Sequence, residues 1–84
     1  MDNLGERMYK LTLPQGSQLK LPTDTFNTEA GAQRHKENLI KYSKQYISMA
    51  KKDVESGVPY TRKKSVAEME ADLKDLEAIK IEKI

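Results

Sequence analysis

The sequence predicts an α+β fold, in which an N-terminal β-hairpin packs on an antiparallel two-helix hairpin, with a short C-terminal third strand as an open alternative. Three observations support this prediction. Apolar and polar residues alternate near the N-terminus, a long segment is amphipathic at helical spacing, and a helix-capping motif follows a basic loop. The chain has 84 residues, so we expect a single small domain, 1–84, that opens with a flexible N-terminus, 1–7.

The β-hairpin is predicted from two short alternating runs, 8–13 and 19–21, each of which places its leucines on one face. Pro14 and Gly16 lie between the runs and are typical of a turn, because proline pre-sets φ and glycine accepts a positive φ. The sequence therefore predicts a hairpin over 8–21. Two strands alone are marginal in water, so the leucine face must pack on another apolar surface.

A long amphipathic helix is predicted over 28–56. Asn27 and Thr28 are both suitable N-caps, Gly57 is a suitable C′ residue, and Pro59 cannot continue the helix. The segment holds roughly 28 residues and spans about 43 Å at 1.5 Å per residue. Its apolar side takes up about half the circumference, wider than an ordinary surface helix, so we expect it to pack against two partners. That side consists of His35, Leu39, Ile40, Tyr42, Tyr46, Ile47, Met49, Ala50 and Val54.

The hairpin and the second helix are both shorter than the long helix, so part of its apolar side is expected to stay uncovered. Exposed apolar surface of this kind marks interfaces, and a symmetric homodimer is the simplest way to cover it. We expect the tyrosines of this side in the core rather than stacked on nucleic-acid bases. The predicted oligomer or partner interface consists of Leu39, Tyr42, Tyr46, Ile47, Met49 and Val54.

The second helix is predicted over 65–84. Ser65 and Glu68 fit the capping box, and an apolar stripe through Leu73 and Leu76 follows at helical spacing. The last residues are ambiguous, because 79–82 alternate apolar and charged residues as a strand would. A helix is favoured there, since good helix formers fill the segment and no turn residue separates it from Leu76.

Basic residues on the polar side of the long helix, together with the basic loop 57–64, could neutralise nucleic-acid phosphates. Against this stand the small net charge of +2 and the acids Glu37 and Glu55 among the bases, which favour a solvated face. The candidate nucleic-acid-binding residues are Arg34, Lys41, Lys44, Lys51, Lys52, Arg62, Lys63 and Lys64.

No catalytic residues are predicted. The single histidine, His35, lies on the apolar side without a nucleophile motif nearby, and a packing role is expected for it. Glu68, Asp72 and Asp75 share a helix face that is expected to be solvated, so no metal site is predicted. The chain has no cysteine, and neither a signal peptide nor a membrane span is evident, so a cytoplasmic location is expected. No cofactor and no small-molecule substrate are expected.

These observations together favour a small non-enzymatic protein-binding module: an adaptor, regulator or inhibitor that docks on a larger partner and forms a homodimer. Inhibitors carried by mobile genetic elements are typically of this size and have no catalytic site of their own. The alternative is a nucleic-acid-binding protein that uses the basic residues on the polar side of helix 28–56 and the loop 57–64. No membrane partner is expected.

Overall fold

The computed structural model describes residues 8–84, in which two helices and three strands form an α+β fold with a helical hairpin, as the sequence predicts. The predicted flexible segment 1–7 lies outside the described residues. In chain order the elements are β1 (Tyr9–Thr12), β2 (Thr25–Phe26), α1 (Glu29–Ser56), α2 (Val66–Glu77) and β3 (Lys80–Lys83).

The three strands form one antiparallel sheet of order β2-β1-β3. Leu11 lies opposite Ile81, and Tyr9 lies opposite Phe26, so these side chains share the inner face of the sheet. The outer face carries charged and hydroxyl side chains, and the Thr12 hydroxyl donates to the Glu82 carboxylate at 2.6 Å. This alternation is typical of an antiparallel sheet with one face on the core.

The predicted second hairpin strand, 19–21, is not a strand. The turn after Pro14 does form, with the Ser17 N–H donating to the Pro14 carbonyl at 3.1 Å. The chain then continues past it, and β1 pairs with Thr25–Phe26 on one edge and with β3 on the other. Both edges of β1 are thus occupied, so Leu19 packs against the core from a connecting segment.

The prediction of helix through the last residues of 65–84 is wrong. The helix α2 ends at Glu77, and the open alternative, a third strand, is what forms. A strand places Ile79 and Ile81 on one face, whereas a helix would turn them about 200° apart. Ile79, which directly precedes β3, is buried, and Ile81 within β3 packs against the core opposite Leu11.

The helix ends follow from local capping. The Thr28 hydroxyl accepts from the Gly31 N–H at 3.0 Å, and α1 stops at Gly57, whose φ of 75° is left-handed. Ser65 and Glu68 form both hydrogen bonds of the predicted capping box at the start of α2. These bonds satisfy N–H groups that have no partner within the helix.

The main core cluster is formed by Leu11, Ala32, Leu76 and Ile79, which the sheet, α1 and α2 contribute together. Alanine at position 32 lets neighbouring elements approach the helix axis closely, and Ala50 is likewise fully buried further along α1. The helix α1 contacts α2 and all three strands. The prediction that this helix packs against two partners is therefore confirmed.

Candidate protein-docking surface

Large apolar side chains remain exposed along one flank of α1. Tyr42, Tyr46 and Met49 are 55%, 58% and 51% exposed, and their spacing of four and three residues places them in one row. We call these three residues the tyrosine face. They stay uncovered because α2 packs on a neighbouring side of α1, around Ile47 and Ala50, and the sheet packs near Ala32.

A groove runs beside the tyrosine face, between α1 and α2, and has a volume of about 300 Å³. We call it the apolar groove. Leu19 bounds it on the side of the connecting segment, and Ser43 and Asp72 are its polar residues other than the two phenols. Its lining residues are Leu19, Leu39, Tyr42, Ser43, Tyr46, Met69, Asp72 and Leu76.

An acidic cleft of about 250 Å³ adjoins the apolar groove on the α2 side, and the two share Asp72. The Asp72 carboxylate pairs with the Lys64 ammonium group, while Glu68 and Asp75 add further carboxylates to the cleft. The apolar surface therefore has an acidic border along α2.

The opposite border is basic. Around α1, Asn38 and Gln45 follow the tyrosine face, and Lys41 and Lys52 come next at 100° per residue. All four residues are exposed. The tyrosine face and the apolar groove thus lie between bases on α1 and acids on α2.

Three of the eight candidate nucleic-acid-binding residues are engaged in ion pairs within the molecule. Lys51 pairs with Glu70 at 3.3 Å, Arg62 pairs with Asp53 at 3.0 Å, and Lys64 pairs with Asp72. For the other five, no acid within residues 8–84 lies at salt-bridge distance, and all five are exposed. They are Arg34, Lys41, Lys44, Lys52 and Lys63.

The predicted interface residues separate into two groups. Ile47 is 7% exposed and belongs to the packing of the two helices, and Leu39 is half-buried at the edge of the core. Tyr42, Tyr46, Met49 and Val54 are exposed, so the expectation that the tyrosines lie in the core is wrong. The apolar side of α1 is too wide for one 12-residue helix and a small sheet to cover.

Three of the eight residues that line the groove, Leu39, Tyr42 and Tyr46, belong to the interface predicted from the sequence. The prediction did not include Ser43 of α1, Leu19 of the connecting segment, or Met69, Asp72 and Leu76 of α2. The signal for Met69 was present in the apolar stripe of the second helix. No signal in the sequence brings Leu19 to this groove, because that contact depends on the path of the chain between β1 and β2.

The histidine has the predicted packing role. The rings of His35 and Phe26 lie 5.0 Å apart at an angle of 41°, and within the described residues the buried His35 Nε2 atom has no hydrogen-bond partner. Among residues 8–84, no cluster of three or more histidine or acidic side chains is arranged to hold a metal ion. No helix in the described part of the chain is long and apolar enough to cross a membrane.

Glu68 is the titratable group on the acidic cleft whose environment favours its charged form. The Ser65 backbone N–H donates to its carboxylate at 3.0 Å, and this bond, followed by the bond with the Ser65 side chain, lowers the pKa of Glu68. Desolvation acts against this lowering of the pKa, and the nearby charge of Lys64 adds to it. The carboxylate therefore stays charged at the acidic border.

Comparison with models of known protein families, with curated proteins and with solved structures gives no match.

Proposed function

We propose that this chain is a non-enzymatic protein-binding module that docks on its partner through the tyrosine face and the apolar groove. A single observation carries the proposal. Three large apolar side chains, each more than half exposed, lie in a row beside a groove whose lining is almost entirely apolar. Contiguous apolar surface with a charged border is typical of protein interfaces.

The residue types support this reading. Tyrosine provides a large contact area with few rotatable bonds and keeps a hydroxyl for the wet edge of an interface, so it is enriched at binding hot spots. Methionine adapts to irregular partner surfaces. A partner side chain that enters the apolar groove would be desolvated between Leu39 and Met69. An adaptor, a regulator or an inhibitor would each use such a surface.

The polar groups of the groove fit binding better than catalysis. Ser43, Asp72 and two phenols line it, and Asp72 is already paired with Lys64. A serine nucleophile needs an adjacent base, and none of the described lining residues is a histidine or a lysine.

Nucleic-acid binding remains the alternative function, and it now depends on fewer groups. The ion pairs of Lys51, Arg62 and Lys64 leave five of the eight candidate bases exposed and available for phosphates. Breaking an internal pair to contact a phosphate exchanges one favourable interaction for another, so these three bases would add little to affinity. The protein-binding reading is therefore preferred.

Site-specific photo-crosslinking in the producing cell tests the proposal. A benzoylphenylalanine replaces Tyr46 in the tyrosine face, and in a matched control it replaces Ser48, which is exposed on the polar side of α1. We expect a discrete protein adduct from position 46, little from position 48, and loss of the adduct when Met49→Asp is added. Equal labelling from both positions, or none from position 46, would rule out the tyrosine face as the docking surface.

A further inference from the structure

We infer that the partner of the tyrosine face is a second copy of this chain, bound side by side in parallel orientation about a two-fold axis that runs along α1. This inference rests on the proposed function and adds the identity of the partner. A two-fold interface requires a surface that is complementary to itself, and both the shape and the charge of this surface meet that requirement.

The shape is self-complementary because a ridge and a groove lie next to each other. The exposed row of Tyr42, Tyr46 and Met49 projects from α1, and the groove towards Met69 and Leu76 lies beside it. A rotation of 180° about an axis parallel to α1 brings the two copies face to face. It also reverses the order in which the ridge and the groove follow each other across the interface. The tyrosine face of each copy then lies over the apolar groove of the other.

The charges follow the same symmetry. Lys41 and Lys52 border the tyrosine face, whereas Asp75 and Glu68 lie on the groove side, next to the Asp72–Lys64 ion pair. The same rotation brings the bases of each copy opposite the acids of the other. Turning the second copy over about an axis across α1 would instead place bases against bases and acids against acids, which repel.

One intermolecular ion pair follows from the positions of the residues along the α1 axis, which we call their levels. The helix α2 runs antiparallel to α1, the Lys36 ammonium group donates to the Ile79 carbonyl at 2.8 Å, and Leu39 and Leu76 line the same groove. Asp75 therefore lies near the level of Lys41. Because rotation about an axis parallel to α1 preserves this level, Lys41 of each copy meets Asp75 of the other.

Sedimentation equilibrium of the full chain over a wide range of concentrations tests the second copy. We expect a monomer–dimer equilibrium that Tyr46→Asp abolishes, with circular dichroism confirming that this variant stays folded. Val58→Asp is the matched control, because Val58 is 49% exposed but lies in the loop after α1, and its dimer should be unchanged. A wild-type chain that is monomeric at every concentration, or a dimer that Tyr46→Asp leaves intact, would overturn the inference.

A charge exchange tests the parallel orientation. Lys41→Asp and Asp75→Lys should each raise the dimer Kd about tenfold, since each breaks two symmetry-related pairs and places like charges together. The double variant should return the Kd to within about threefold of wild type. The Lys44→Asp substitution, on the side of α1 away from the tyrosine face, should leave the dimer Kd unchanged. A double variant whose loss of dimer affinity equals the sum of the losses of the two single variants would overturn the parallel arrangement.

The two proposals fail in different ways. A monomeric chain whose position 46 still crosslinks to another protein would overturn the second copy and leave the protein-docking function in place. A chain with no specific adduct at position 46 that nevertheless dimerises through another surface would overturn both.

Discussion

At the scale of single residues, the helix ends are decided by local chemistry. Thr28 and Ser65 accept backbone N–H groups of the first turns, and Gly57 takes the left-handed conformation that ends α1. Each of these roles depends on residues within four positions, so the sequence predicts Gly57 and Ser65 correctly and narrows the first N-cap to Asn27 or Thr28. The contact between the rings of His35 and Phe26 cannot be predicted from near neighbours, because it depends on how β2 packs against α1.

The Gly57→Ala substitution should destabilise the protein by about 1 kcal/mol. A side chain in the left-handed region places Cβ close to the following carbonyl oxygen, and Gly57 has a φ of 75°. Asparagine tolerates this conformation, so Gly57→Asn should cost less. Urea denaturation of the three proteins measures the difference, and equal stability of all three would contradict the requirement for a positive φ.

The capping box should make stability depend on pH. The pKa of Glu68 is lowered in the folded state, so its contribution is fully present above the ordinary glutamate pKa and is lost as pH falls through the lowered value. Wild type should therefore melt at a higher temperature than Glu68→Gln at neutral pH, and the two should converge in acid. Glu77→Gln, at the other end of α2, is the matched control. A difference that persists unchanged in acid would contradict the role of the carboxylate.

At the scale of elements, β1, α1 and the start of α2 were predictable, whereas the end of α2 and the pairing of the sheet were not. The amphipathic period and the caps that define α1 lie within or next to the helix itself, and the capping box defines the start of α2. Residues 79–84 have helix-forming composition, and a local window favours helix there. They form β3 because β1 offers a free edge, and the Thr12–Glu82 hydrogen bond joins residues 70 positions apart.

The Ile81→Asp substitution tests β3 as a packing element. Ile81 packs against the core opposite Leu11, so an aspartate there would place a charge on the inner face of the sheet. We expect a loss of about 2 kcal/mol or more, seen as a lower Tm. Glu82→Gln on the outer face should stay within about 0.5 kcal/mol of wild type. If both variants melt like wild type, the strand contributes little to the fold.

At the scale of the whole molecule, the fold is elongated, with extents of 60 × 22 × 17 Å. The long helix α1 sets this shape, and the sheet and α2 are both shorter than α1. A thin core of this kind leaves apolar side chains at the surface, which is where the tyrosine face and the apolar groove arise. The charges lie on opposite borders of that surface, with bases on α1 and acids on α2.

Nucleic-acid binding should be weak and steeply lost with salt. Five of the eight candidate bases are free of ion pairs within residues 8–84, so if these five make the phosphate contacts, the slope of log affinity against log salt should be no steeper than about −4.5 for duplex DNA. Fluorescence anisotropy with short duplex DNA and single-stranded RNA measures it. Tight binding at physiological salt that Lys51→Glu with Lys52→Glu abolishes would instead favour the nucleic-acid alternative.

The sequence by itself determined the α+β class, the extent of α1, the capped start of α2, and the α1 side that carries the tyrosine face. These features depend on periodicity and on hydrogen bonds between near neighbours, which a linear pattern contains. Only the tertiary structure decided the strand at the C-terminal end, the pairing of β1 with Thr25–Phe26, and the groove that Leu19 and Met69 complete. Each of these depends on contacts between distant segments, and such contacts override local propensity because they bury apolar surface that no single segment can bury alone.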